Sequence, residues 1–258
     1  MNPENMCADN KPGPVLDLTP IANCNKCQYN IALKQNDLCK PGDACVMVKS
    51  GRQIDRFFKR NPQLAVHYLN DEFWEMRAIA VRYSPQIEIK KLINDPDEAV
   101  RRAVAYRLPV DQLDPLMDDE DREVRITVAD RIPLNKLEKL IDDDDYLVRA
   151  YVARRLPVGR LFRLIMDPDN HVRKIVAERL PEVSIMLMSS DSDPDIRRIV
   201  ADRADPEALI DMVYDKDWMV RLVVAANIAP HHLHMLKNDQ DEEIRTLVAE
   251  RLAEVPDS

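Results

Sequence analysis

Val100-Arg101-Arg102-Ala103-Val104-Ala105-Tyr106-Arg107-Leu108-Pro109 decides how this chain folds, because the pattern returns. It comes back as Val124-Arg125 to Pro133, Val148-Arg149 to Pro157 and Val172-Arg173 to Pro181. The leading arginines are Arg77, Arg101, Arg125, Arg149, Arg173, Arg197, Arg221 and Arg245, each 24 residues from the last with no insertion. Self-similarity at a fixed period is the mark of a stacked array, in which each unit buries its apolar face against its neighbours.

Each unit parses into two pieces. Val100, Val104, Ala105 and Leu108 fall on one helical stripe. Proline at 109 cannot continue that helix and biases the residue before it toward extended geometry. An aspartate stands six residues before each leading arginine, from Asp71 and Asp95 to Asp239. In Asp95-Pro96-Asp97-Glu98 it reads as an N-cap followed by proline at the first helical position and an acidic first turn. The second piece is short: Leu113, Leu116 and Met117 recur as Leu137, Leu140 and Ile141, spacing that fits about two turns of α- or 3₁₀-helix. No alternating β-branched run is present, so no sheet is expected. Alanine recurs at Ala105, Ala129, Ala153, Ala177, Ala201, Ala225 and Ala249, where a small side chain lets helices approach closely. Trp74 and Trp218, three residues before a leading arginine, are expected to pack between units.

The chain outside the array differs. All five cysteines, Cys7, Cys24, Cys27, Cys39 and Cys45, and three of the four glycines lie at the N-terminal end. The net charge of −9 falls entirely beyond residue 50. The expected organisation is a cysteine-rich domain over 1–50, a degraded repeat or junction over 51–70, the helical array over 71–253 and a polar tail over 254–258. The acidic balance argues against nucleic acid and anionic membranes as partners. No apolar run is long enough to span a bilayer and the first residues do not read as a secretory signal, so a cytoplasmic protein is expected. In a reducing compartment clustered cysteines point to metal or redox chemistry more than to disulfides.

Cys24-x₂-Cys27-x₁₁-Cys39-x₅-Cys45 is the chemical core of the sequence. Four thiolates suit either a tetrahedral zinc or an iron–sulfur cluster, and spacing alone leaves the two open. Cys7 is a free thiol or a substitute for one of the four. Residues 1–50 hold too few apolar residues for a core of their own, so a bound metal would supply folding energy there.

Val-Arg-x-x-Val-Ala-x-Arg-Leu-Pro at a 24-residue period resembles the leucine-rich repeat variant family over nearly the whole chain, and the cysteine-rich start resembles the iron–sulfur domain that precedes such repeats in some members. The resemblance implies an all-α solenoid in which α- and short 3₁₀-helices alternate in a right-handed superhelix. It also moves the metal from zinc toward a cluster, [4Fe-4S] in type. Ordinary leucine-rich repeats fit poorly, because their Leu-x-x-Leu-x-Leu-x-x-Asn signature is absent. HEAT-like repeats rank second, being longer and lacking the terminal Arg-Leu-Pro.

Two further signals need weighing. A second arginine row runs Arg107, Arg131, Arg155, Arg179, Arg203 and Arg251, broken by Asn227. Stacking would align it and the leading row into stripes. Arg101, Arg125, Arg149, Arg173 and Arg197 are therefore a candidate binding surface, set against the plainer reading that they pair with the equally periodic aspartates. In His231-His232-Leu233-His234, His231 and His234 share a face, and the plainer reading is solvent exposure. No nucleophile–base pair, phosphate-cradling loop or paired catalytic carboxylates stand out, so no enzymatic activity is expected. The expected function is an iron–sulfur protein, for electron transfer or redox sensing, with an unidentified protein partner docked on the repeats. The alternatives are a protein-binding scaffold whose metal only folds the N-terminal cap, and nucleic-acid binding through the arginine stripes.

Overall fold

A computed structural model of the protein describes residues 19–254, and Cys7 lies outside the described residues. They form helices and connecting turns with no strand; Lys40 and Ala44 make an isolated antiparallel bridge. Contacts divide the chain into two compact units, one ending at Leu108 and the other beginning at Pro109. Among the described residues no helix is long and apolar enough to cross a membrane.

In the first unit the cysteine segment leads into helices Gly51–Arg60, Trp74–Tyr83 and Glu98–Arg107, with a 3₁₀-helix at Pro62–Tyr68. Ile54, Phe57, Phe58 and Leu69 are its largest fully buried side chains together with Ile89 and Leu108. The cysteine segment is bonded to the first helix at both ends: Gln53 Nε2 donates to the Pro20 carbonyl at 2.9 Å and Asn61 Nδ2 to the Leu38 carbonyl at 2.7 Å.

The second unit repeats a ten-residue helix: Arg122–Arg131, Tyr146–Arg155, Asn170–Arg179, Pro194–Arg203 and Trp218–Asn227, with Glu242–Ala253 last and longer. The connectors are 3₁₀, as in Val158–Leu164 and Pro230–Leu236, or one α-turn running into 3₁₀, as in Leu134–Leu137 and Glu138–Leu140. Each helix before an Arg-Leu-Pro stops as the sequence requires. Leu156, for instance, is extended (φ −54°, ψ 142°), its N–H closes on the Val152 carbonyl, and Pro157 opens the next segment. Val148, Val152, Ala153 and Leu156 are all fully buried, a set repeated in the neighbouring units. The alanine slot is buried from Ala105 to Ala225, whereas Ala249 is exposed.

The helix starts correct one expectation. The aspartate six residues before the arginine is not the N-cap. The cap is the aspartate two residues on, in the recurring Asp-x-Asp: Asp145 accepts from the Leu147 N–H and Asp169 from His171, and Asp97, Asp121, Asp193, Asp217 and Asp241 act alike. The first aspartate is drawn off by two stronger donors. Asp167 accepts from the Asp169 N–H at 2.9 Å and takes both Nε and Nη2 of Arg149, eighteen residues earlier, at 2.7 and 2.9 Å. The proline expected at the first helical position stands there only in Pro194–Arg203 among the Asp-x-Asp helices. The two tryptophans are also corrected. Trp74 and Trp218 are 43% and 42% exposed, because the position three before the arginine falls on the solvent side of the first turn.

Candidate metal centre

Cys24, Cys27, Cys39 and Cys45 line one hollow of about 330 Å³, open to solvent and floored by Phe57 and Ala44. All four are free thiols; Cys45 is buried and the others are half-buried. Two local motifs aim them. Cys24–Lys26 is a single 3₁₀ turn, capped by the Asn23 side chain on the Asn25 N–H, that turns Cys24 and Cys27 toward the same side. Cys39 and Cys45 are brought back to the hollow by a tight turn: the Asp43 N–H closes on the Lys40 carbonyl at 3.1 Å, and Lys40 and Ala44 exchange N–H···O bonds of 2.9 and 2.8 Å. Pro41 and Gly42 occupy its central positions, and Gly42 has φ +77°, the conformation a type II turn demands of its third residue. This glycine was counted in the sequence but its role was not read. The Pro-Gly pair was the available signal.

Backbone amides point at two sulfurs. The Tyr29 N–H approaches Cys27 Sγ at 3.4 Å and the Met47 N–H approaches Cys45 Sγ at 3.4 Å, each two residues beyond its cysteine. The thiols also feel one another. Burial pushes the Cys39 thiol up, the neighbouring Cys27, Cys45 and Cys24 push it the same way, and Lys34 opposes them. Burial likewise raises Cys45 against the Met47 amide, with Cys27 and Cys24 adding to the rise. Four thiolates converging in half-buried space repel; cations placed among them relieve that repulsion, which is the donor chemistry a metal cluster needs. Among the described residues, no three of these sulfurs gather within 4.8 Å of one another. Beneath the hollow, the Tyr29 ring packs on Phe57 at a tilt of 46° with centroids 5.6 Å apart, and its hydroxyl meets that of Tyr68 at 3.0 Å, where burial pushes the Tyr68 phenol up. Arg56 and Arg60 both engage Asp43, inside the turn, and the Arg56 hydrogen bond chiefly holds that carboxyl below its usual range.

The arginines expected as a binding surface stand elsewhere. Arg125, Arg149, Arg173 and Arg197 each give Nε and Nη2 to the aspartate eighteen residues on, Asp143, Asp167, Asp191 and Asp215, at 2.7–3.0 Å. Their Nη1 atoms close on the carbonyls of Asp119, Asp143, Asp167 and Asp191 in their own units. Arg101 is buried and gives Nη1 to the Asp95 carbonyl at 2.9 Å. Bidentate pairing to a partly buried carboxylate spends the fork geometry of the guanidinium, so these side chains are joints between units, not a charged face. The second row is spent too: Arg155 donates to the Ala129 carbonyl at 2.7 Å, Arg203 to Leu180 at 2.8 Å and Arg251 to Ala225 at 2.7 Å, each satisfying the carbonyl end of the preceding helix.

A strandless repeat of α- and 3₁₀-helices, preceded by a four-thiol hollow, defines a helical-repeat protein with an N-terminal metal-cluster domain. Known proteins agree. A family model described as "LRV protein FeS4 cluster" matches residues 20–67, and one described as "Leucine rich repeat variant" matches residues 98–121 and 146–169. A solved structure described as a leucine-rich repeat variant with a novel repetitive protein structural motif is 56% identical, with a TM-score of 0.87, covering 91% of this chain and 100% of that one. A curated Rhodobacter capsulatus protein, "Uncharacterized 27.7 kDa protein in nifB 3'region", is 34% identical over 95 residues. That match takes in 36% of this chain and 38% of the relative's length. The chain belongs to the leucine-rich repeat variant family, and its cysteine domain is an iron–sulfur cluster domain.

Proposed function

We propose that this is a non-catalytic redox protein, in which Cys24, Cys27, Cys39 and Cys45 hold a [4Fe-4S] cluster for electron transfer or redox sensing and the repeats dock a protein partner. The observation that carries the reading is four free thiols around one solvent-open hollow. A zinc tetrahedron with Zn–S bonds of about 2.3 Å would need sulfurs about 3.8 Å apart. That no three of the described sulfurs gather within 4.8 Å favours the larger cluster over the ion. A bound cluster supplies a one-electron couple whose potential depends on hydrogen bonds to sulfur and on solvent access. This chain provides both: the Tyr29 and Met47 amides on two sulfurs, and three thiols left half-buried. Ile21, Ile31 and Met47, 72%, 73% and 48% exposed, stand in the same segment beside exposed Lys26, Lys34 and Lys40. Exposed apolar and basic side chains in one short segment suit the small, transient contacts of redox partners. Docking on the repeats is supported by Phe162, Met166, Leu187 and Tyr214, which are 60%, 87%, 67% and 80% exposed on the connectors of three successive units.

One observation favours the structural alternative. Between residues 19 and 50 the buried residues are Ala44, Cys45 and Val46, too few to hold the segment without its metal. The nucleic-acid alternative loses the residues it was argued from, since both arginine rows are engaged within the fold. Anaerobic purification followed by iron, sulfide and zinc analysis, with EPR before and after dithionite, tests the reading. About four irons per chain and a signal that returns on reoxidation support electron transfer or sensing. One zinc, or iron lost on reduction, makes the domain a metal-folded cap.

A further inference from the structure

The last two full repeats depart from the pattern at one point. In earlier units the position eight beyond the leading arginine is proline: Pro85, Pro109, Pro133, Pro157 and Pro181. After Arg197 and Arg221 it is Asp205 and Ala229, and the proline moves one place on, to Pro206 and Pro230. The shift gives Ala229 an N–H that a proline there would lack, and it donates to the Pro206 carbonyl at 3.2 Å, tying one turn to the next. The residues just after the two prolines are thereby brought together. Glu207 follows Pro206; His231 and His232 follow Pro230.

His231 Nε2 and His232 Nε2 both lie on Glu207 Oε2, at 3.2 and 3.3 Å, and the two imidazole centroids are 4.0 Å apart. All three donor atoms fall within 4.8 Å of one another. The distances discriminate. Charge-assisted N–H···O bonds run about 2.7–2.9 Å, and the Arg–Asp joints here measure 2.7–3.0 Å. A tetrahedral ion with bonds of about 2.0–2.1 Å to nitrogen and oxygen has donor atoms about 3.3–3.4 Å apart. Elsewhere on this side of the unit, connectors carry ordinary ion pairs, Lys136 with Asp114 and Arg160 with Glu138, in place of imidazoles. Glu207 and His231 are 62% and 63% exposed, which leaves the open side of the trio to water. The pairing differs from that read off the sequence: His231 and His234 stand three apart in the 3₁₀-helix Pro230–Leu236, but the His234 ring is taken up by the His231 carbonyl at 2.7 Å, and His232 is the residue that joins His231 on Glu207.

We propose that Glu207, His231 and His232 form a second metal site, separate from the cysteine centre, that takes one divalent ion of the zinc class with water completing its shell. Two imidazoles and a carboxylate suit zinc and the other borderline divalent transition metals and discriminate against magnesium and calcium. The ion would staple one repeat to the next.

The test uses the tag-free full chain, purified anaerobically, and zinc chloride as the probe. Histidine reactivity toward diethylpyrocarbonate is mapped by peptide mass spectrometry, so zinc captured by cysteines is not counted. Zinc is expected to protect His231 and His232 but not His171 or His234, magnesium to protect none, and the melting temperature to rise with zinc. Glu207→Gln and His232→Asn are expected to weaken protection by more than the ~10–100-fold typical of losing an outer-shell partner. His234→Asn is expected to leave it unchanged. Glu207 and His234 are exposed and His232 is half-buried, so unchanged circular dichroism is required of every variant before its protection is read. Absence of protection in the native chain at millimolar zinc, or full protection in Glu207→Gln, would show a histidine–glutamate ion pair only and overturn the proposal.

Discussion

Residues 19–50 bury Ala44, Cys45 and Val46, while a single repeat such as 143–166 buries Val148, Val152, Ala153, Leu156, Leu161 and Leu164 and locks itself to the next repeat through Arg149 and Asp167. The two regions solve the same problem, ordering a short stretch of chain, with different chemistry. The repeat does so by periodic apolar burial and a bidentate ion pair, both of which each neighbour repeats. The cysteine segment has two three-residue 3₁₀ turns, one Pro-Gly turn and four convergent thiols, so its order rests on what the thiols bind. Loss of a ligand is therefore local and near-total in one region. Loss of a contact is partial and shared in the other.

The largest expected effect tests the first half of that contrast. Cys27→Ser is expected to abolish iron and sulfide incorporation and to expose the segment 19–50 to proteolysis, while the helical circular-dichroism signal survives. Loss of most helical signal on that substitution would show that the array depends on the cluster domain. Next comes the joint between repeats. Asp167→Ala leaves the Arg149 guanidinium, whose side chain is only 10% exposed, without its carboxylate, and is expected to cost about 3–5 kcal/mol in urea unfolding. A cost under about 1 kcal/mol would place this pair among the surface pairs that contribute little.

Ala153→Leu and Ala249→Leu form a matched test of burial. Ala153 is fully buried, and the added volume should cost about 1–3 kcal/mol. Ala249 occupies the same slot but is exposed, so the same substitution should fall within about 0.5 kcal/mol of neutral. Equal effects at the two sites would break the assignment of this slot to inter-unit packing. Gly42→Ala is expected to cost about 1–2 kcal/mol. The cost comes from the φ of +77°, since an added Cβ would meet nothing closer than Ile21 Cγ1 at 3.7 Å. It should also slow cluster assembly, read as the rate at which iron-bound absorbance returns after reconstitution.

The smallest effect per residue is acid sensitivity. Arg221 holds Asp239 below its ordinary range, against the opposing effect of burial, and Asn170 does the same for Asp193. A carboxylate whose folded value is depressed stabilises above its unfolded value, about 3.9. It loses that contribution as pH falls through the lower folded value. The array is therefore expected to hold its stability down to about pH 4 and to lose it below, and Asp239→Asn should flatten the acid limb of the melting-temperature profile. An unaltered limb would assign the acid transition to other carboxylates.

The repeats were legible because every element that builds them is periodic: the valines, the alanine slot, the Arg-Leu-Pro stop and the aspartates all recur at fixed spacing. What sequence reasoning missed in them was partnership. It assigned Asp95 and its equivalents to their own helix starts. The structure gives the cap to the second aspartate and hands the first to an arginine eighteen residues earlier, a choice made by three-dimensional stacking and invisible in a local window. The four cysteines were legible as candidate ligands by residue type, and the hollow unites all four. The Pro41-Gly42 turn that makes the wide Cys39–Cys45 spacing workable was not read, because a spacing rule ignores the conformation of the residues between. The Glu207–His231–His232 cluster escaped for a related reason. Its members lie in adjacent units, and only the displaced prolines bring them together.

The arginine–aspartate joint has a polarity: the guanidinium always belongs to the earlier repeat and the carboxylate to the later one. A gene segment encoding one repeat cut at the aspartate, such as residues 143–166, carries one half of each of two joints, Asp143 for the repeat before and Arg149 for the repeat after. Copying or removing such a segment rejoins an old arginine to an old aspartate and needs no compensating change. Repeat number is accordingly a trait that recombination can adjust in single steps, whereas the cysteine domain, whose four thiols differ in setting, has to be inherited whole.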